Sequence, residues 1–134
     1  MIKAAYMIVV LCVCATLTSF IGLTTLKGTW EYQGGVYNGK PEGAPTEYTM
    51  HRVYTDSNFA AYAFQKGYKT EKYEAGNYVI KGDTCFETQT FSSQPSQTTG
   101  KTIVYLYTIK DNMLTLSATL PSGMVVEEKW KHLK

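Results

Sequence analysis

The sequence predicts an all-β fold, a small up-and-down antiparallel β-barrel of eight to ten strands, and three observations carry that expectation. Behind an apolar leader, hydrophobic side chains recur with period two. Short strand-like runs are punctuated by turn residues, and no capped stretch of helical period interrupts them. Each run is joined to its sequence neighbour, the connectivity with which a closed sheet removes its exposed edges. A two-sheet sandwich is the competing architecture, because it uses the same short strands.

The elements follow in order. Lys3 supplies a positive start, and Ala4 to Gly22 carries no charge, so residues 1–23 read as a secretory signal or N-terminal membrane anchor, with 24–134 as the folded domain. Lipoprotein processing fits poorly, since Cys12 follows Leu11 and Cys14 follows Val13. The chain is therefore expected at the periplasm, the cell surface or outside, touching a membrane only through an uncleaved leader. Cys85 is then the one cysteine left, and no internal disulfide is possible.

"LKGTWEY" (26–32) reads as the first strand, with Leu26, Gly28, Trp30 and Tyr32 on one face. "GGVYNGKPEGAPTE" follows as a long loop. "EYTMHRVYT", the "DSN" turn and "FAAYAFQ" form a hairpin. "GYKTEKYEAG" reads as a charged connection with at most a short strand. "NYVIK", "GD" and "TCFETQTF" form a second hairpin, closed by the polar loop "SSQPSQTTGK". "TIVYLYTIK", "MLTLSATL" and "MVVEEKWKHL", turning at "DN" and "PSG", complete a meander.

Composition excludes several functions. Thirteen basic against eleven acidic side chains give a formal charge of +2, with no basic run, so nucleic acid is not expected as a partner. The two histidines, His51 and His132, have no cysteine or carboxylate at ligand spacing. No metal, cofactor or catalytic constellation is expected, and Cys85 reads as a small buried hydrophobe. Tyrosine is the unusual entry in the composition, eleven against five phenylalanines, which suits a β-rich chain with hydroxyl-bearing aromatics turned inward.

Arg52 is the only arginine. It shares parity with Tyr48, Met50 and Tyr54, so it either faces inward, where it must be paired or await an anion, or the parity is inverted and it lies in solvent. Glu87 or Glu128 could be its internal partner. If it faces inward unpaired, it would anchor a carboxylate or sulfate head. The barrel liners expected from parity are Tyr48, Met50, Tyr54, Tyr62, Phe64, Tyr78, Phe86, Tyr105 and Tyr107.

Four segments together, "LKGTW", "YTDSNFA", "AGNYVIKGDTCFET" and "VEEKWKHL", resemble the small lipocalin-like domains of exported proteins from gut-dwelling Bacteroidota, a family without an assigned biochemical role. The resemblance spans nearly all of 26–134. It implies that Gly28 and Trp30 of the first strand close one barrel end against a basic residue of the last strand. Where that family commonly ends in Trp-x-Arg, this chain has Trp130-Lys131-His132, so Trp130 and His132 are expected at the closed end, with His132 covering Trp30. The resemblance also implies a non-catalytic protein for a small hydrophobic or amphipathic molecule. The alternative is an interaction domain whose barrel is filled by its own side chains and which contacts protein or glycan through its surface.

Overall fold

The computed structural model describes residues 25–134, and the expected leader lies outside them. The described residues form nine antiparallel strands: β1 (Gly28–Tyr37), β2 (Lys40–Gly43), β3 (Thr49–Tyr54), β4 (Asn58–Phe64), β5 (Glu71–Lys81), β6 (Thr84–Ser92), β7 (Thr102–Lys110), β8 (Met113–Thr119) and β9 (Val125–Leu133). Their order in the sheet is β2-β1-β3-β4-β5-β6-β7-β8-β9, and β1 also pairs with β9. That last pairing closes eight strands into a barrel and rules out the sandwich.

β1 is long enough to serve two partners on one edge. Gly28–Glu31 pairs with β3, while Gly34–Tyr37 pairs with β2. On its other edge β9 accompanies it from Thr29 to Tyr37. β2 is therefore a short flap continuing the β3 position, and all four of its residues are exposed.

Two expectations about connections are corrected. The segment after "LKGTWEY" is not a long loop, because Asn38 (φ 50°) and Gly39 (φ 79°) form a tight left-handed turn between β1 and β2. Asn-Gly adopts that turn readily, and its twist matches that of the flanking strands. Of the charged stretch before Asn77, Glu71 to Gly76 form the first half of the eleven-residue β5. Its charged side chains obscure the alternation, and bulges break it: the register slips between Ala61 and Tyr62 on β4, and between Ala75 and Gly76 on β5.

At the end carrying Gly28, the barrel is packed solid by Leu26, Trp30, Tyr54, Phe59, Tyr78, Cys85 and Leu114, all buried. Burying these aromatic and aliphatic side chains supplies the main drive to fold. The Trp30 indole N–H donates to the Leu26 carbonyl at 2.7 Å, so the plug leaves no orphan donor there. The His132 ring meets Trp30 edge-on, with centroids 4.9 Å apart. A Cβ on Gly28 would come within 2.7 Å of His132 Nε2, which is the physical reason for a glycine beneath that ring.

Candidate functional site

Above the plug the interior turns polar. Arg52 projects inward from β3 and is 4% exposed. Its Nη2 meets Glu87 Oε1 from β6, and its Nε donates to the Tyr54 hydroxyl at 2.8 Å. That hydroxyl in turn donates to Glu87 Oε2 at 2.6 Å, so both carboxylate oxygens are engaged. Glu74 Oε1 from β5 stands 3.6 Å from Arg52 Nη2. The guanidinium lies 4.7 Å from the Phe59 ring centroid and 5.8 Å from that of Trp130, contacts that favour a cation where water is excluded.

The electrostatics follow from this packing. Burial alone would lower the Arg52 pKa, but the Glu87 carboxylate, with Tyr54 and Glu74 adding to it, holds it well above the ordinary value. Burial raises the Glu87 carboxyl above its usual range against the opposing pull of Arg52. Burial likewise pushes the Cys85 thiol, 4.0 Å from Glu87 Oε2, up to about 12, so it stays protonated and chemically quiet.

Between this cluster and the end opposite Trp30 lies a partly open cavity of about 220 Å³. Met50, Arg52, Tyr73, Glu74, Gln89 and Glu128 contribute to its wall, with Tyr105, Ile103, Leu120, Thr98 and Trp130. Burial raises the Glu128 carboxyl pKa; Arg52 opposes this, and the carboxylates of Glu74 and Glu87 add to the rise. Gln89 is clamped from the β6–β7 loop, its Oε1 accepting from the hydroxyls of Ser96 (2.9 Å), Thr98 (3.0 Å) and Thr99 (2.9 Å).

The sequence-expected residues divide. Met50, Arg52 and Tyr105 line the cavity. Arg52 is not free to anchor a carboxylate head, because Glu87 and Glu74 already flank it. Tyr54 lies beneath the cavity, bonded into the Arg52–Glu87 cluster. Tyr78 donates to the Thr55 carbonyl near the plugged end, and Tyr107 to the Gly82 carbonyl. Tyr48 is a rim residue, 41% exposed. Tyr62 pairs across the sheet with His51 and shares its outer face, where His51 Nε2 meets Glu31 at 3.1 Å. Phe64 packs on that same outer face against His51, and Phe86 stands outside between Val79 and Val104. Trp130, expected at the closed end, instead forms cavity wall in the middle of the barrel.

Tyr73, Glu74 and Gln89 were not foreseen. Strict alternation would place the consecutive Tyr73 and Glu74 on opposite faces, but the bulge opposite Ala61 and Tyr62 turns both to the cavity. Gln89 was legible: it shares the parity of Cys85 and Glu87 along β6.

Fold and site together define a small closed β-barrel with one plugged end and one polar, partly open end. Among solved structures, the chain is similar to an uncharacterized protein from Bacteroides eggerthii, at 16% identity over 81% of this chain and 100% of that one, with a TM-score of 0.60. It also matches a mutant of the fluorescent protein UnaG, at 14% identity over 81% and 96% of the two chains, with a TM-score of 0.42. The first likeness shows the shared barrel fold; the second is too loose to add to it. No family model and no curated protein matches the sequence.

Proposed function

We propose that this chain is an exported, non-catalytic binding protein that takes one small molecule into the open end of its barrel. The uncharged run Ala4 to Gly22 supports export. The observation that carries the binding reading is hydrogen-bonding capacity left over around the cavity. The Trp130 indole N–H is buried without a partner among the described residues. The Gln89 amide nitrogen and the Tyr105 hydroxyl appear in no hydrogen bond there either, although both side chains are buried. Trp130 Nε1 is thus the one buried side-chain atom without a partner among the described residues, while the Gln89 and Tyr105 atoms stay open to the cavity, so a polar occupant there has donors to meet.

Size limits the ligand. An apolar cavity of about 150 Å³ holds benzene, so this one admits about ten non-hydrogen atoms. A long-chain fatty acid, a bile acid or a haem would have to leave most of its body outside. The test is a library of fragments of that size, read by the fluorescence of Trp130 in a Trp30→Phe background and by thermal shift. Binders that quench Trp130 and raise the unfolding temperature are expected, and a library without one overturns the reading.

A second reading, an interaction domain, is favoured by the outer face. Val79, Val104, Leu106 and Val125 are about half exposed there, and cross-strand pairing lines up Val79, Phe86 and Val104. Contiguous exposed apolar surface of this kind commonly meets another macromolecule.

A further inference from the structure

The charges inside the barrel do not balance, and the imbalance bears on ligand class. Arg52 is the one guanidinium, and Glu74, Glu87 and Glu128 face the same region. Glu87 takes up Arg52 in direct contact. Glu74 is a second, longer partner at 3.6 Å, and Glu128 is in no ion pair among the described residues. With all three ionised, the region carries two negative charges in excess, a repulsion that water only partly screens at the half-buried Glu74 and Glu128.

An anionic ligand would worsen that excess, and Arg52 has no unclaimed charge to offer it. A metal ion fits no better, since no group of three or more histidine, cysteine, aspartate or glutamate side chains among the described residues could hold one. What remains is an organic cation. Two side chains at the cavity, Gln89 and Tyr105, are each more than nine-tenths buried as residues yet keep an unpartnered polar atom open to it, and a third, Trp130, holds the one buried unpartnered side-chain atom among the described residues. Gln89 (7% exposed) has its oxygen clamped and its amide nitrogen unpartnered, Tyr105 (5%) has an unpartnered hydroxyl, and Trp130 (1%) has an unpartnered indole N–H. Gln89 and Tyr105 offer hydrogen bonds to an acceptor atom, and the rings of Tyr73, Tyr105 and Trp130 give aromatic wall to an organic body and to a cation.

Resting on the binding reading above, we propose that the cavity takes a small organic ammonium ion whose charged N–H groups are accepted by Glu128 and Glu74. Its body, about ten non-hydrogen atoms by the cavity size, carries an oxygen or nitrogen acceptor for the donors of Gln89 and Tyr105. Uptake of one positive charge halves the excess negative charge around Arg52.

Three probes of nearly equal shape test this by isothermal titration at pH 7.5 on the domain containing 24–134: tyramine as cation, 4-hydroxyphenethyl alcohol as neutral molecule and 4-hydroxyphenylacetate as anion. Tyramine is expected to bind at least about tenfold more tightly than the alcohol, the worth of one charge-assisted hydrogen bond, and the acetate not to bind. Glu128→Gln should reduce tyramine affinity about tenfold while leaving that of the alcohol unchanged, a split that a merely structural role for Glu128 does not produce. Equal or tighter binding of the alcohol or the acetate by the unsubstituted protein overturns the charge assignment and leaves the binding reading standing. Silence from all three overturns the assignment too, and the fragment library then decides separately whether the cavity binds anything.

Discussion

Arg52 is held from several directions at once, and that makes it expensive to disturb. Its guanidinium satisfies Glu87 directly, bonds the Tyr54 hydroxyl and lies against the Phe59 ring. Arg52→Met would leave Glu87 buried with Tyr54 as its remaining strong donor, at a cost of about 3–5 kcal/mol in urea unfolding. The double variant Arg52→Met, Glu87→Leu should recover most of that loss, because the unpaired charge goes with its partner. Equal losses in the two variants would show that packing, not charge pairing, accounts for the penalty. Glu128 gives a pH prediction. Its folded pKa is raised, so the folded state binds the proton more tightly than the unfolded chain. Its contribution to stability is full below the ordinary carboxylate range and is lost as pH rises through the raised value. Glu128→Gln should unfold about 2–5 °C above the parent protein at pH 8 and at the same temperature at pH 4. A difference that does not vary with pH would contradict the shift. At this scale the sequence made Arg52 conspicuous as the lone arginine inside an alternating strand, and even offered Glu87 as its partner. Alternation alone left its direction undecided, because both faces of "EYTMHRVYT" carry a plausible inward set. Glu74 stayed hidden, since the extra residue Tyr73 in its own strand, a bulge visible only in the pairing with β4, determines where it points.

Among the elements, β5 carries the sharpest local constraint. A Cβ on Gly76 would fall 1.9 Å from the Thr88 carbonyl oxygen and 2.9 Å from Phe59 Cε1, so β5 and β6 approach too closely there for any side chain. Gly76→Ala must move backbone, and a loss of about 3 kcal/mol or more is expected in thermal unfolding. Gly39→Ala meets no atom within 4 Å and is strained only by its φ of 79°, so about 1 kcal/mol should be lost. Comparable losses in the two variants would mean that β5 shifts easily at its bulge. The hairpins at "DSN", "GD" and "DN" were readable because apolar alternation resumes cleanly on both sides of each. The Asn38–Gly39 turn carried an equally strong signal, but the glycines and proline around it read as loop. β2 has no buried residue to announce it.

For the molecule as a whole, closure rests on β1 and β9, strands from opposite ends of the domain. The closed barrel leaves its exposed apolar row on the outer face of β5, β6, β7 and β9. If that row meets another surface, sedimentation should show concentration-dependent self-association that Leu106→Lys weakens without changing the unfolding temperature by more than about 2 °C. A monomer at all concentrations would remove the support for self-contact through this face. Closure also gives the buried thiol a use. Cys85 has no exposed surface and sits beside the plugged end, so an alkylating reagent such as iodoacetamide reaches it only when the barrel opens. Its labelling rate, separated from Cys12 and Cys14 by peptide mapping, is an intrinsic clock for barrel opening. Any occupant that binds only the closed form must slow that clock in proportion to its saturation, whatever its chemistry and without a label of its own.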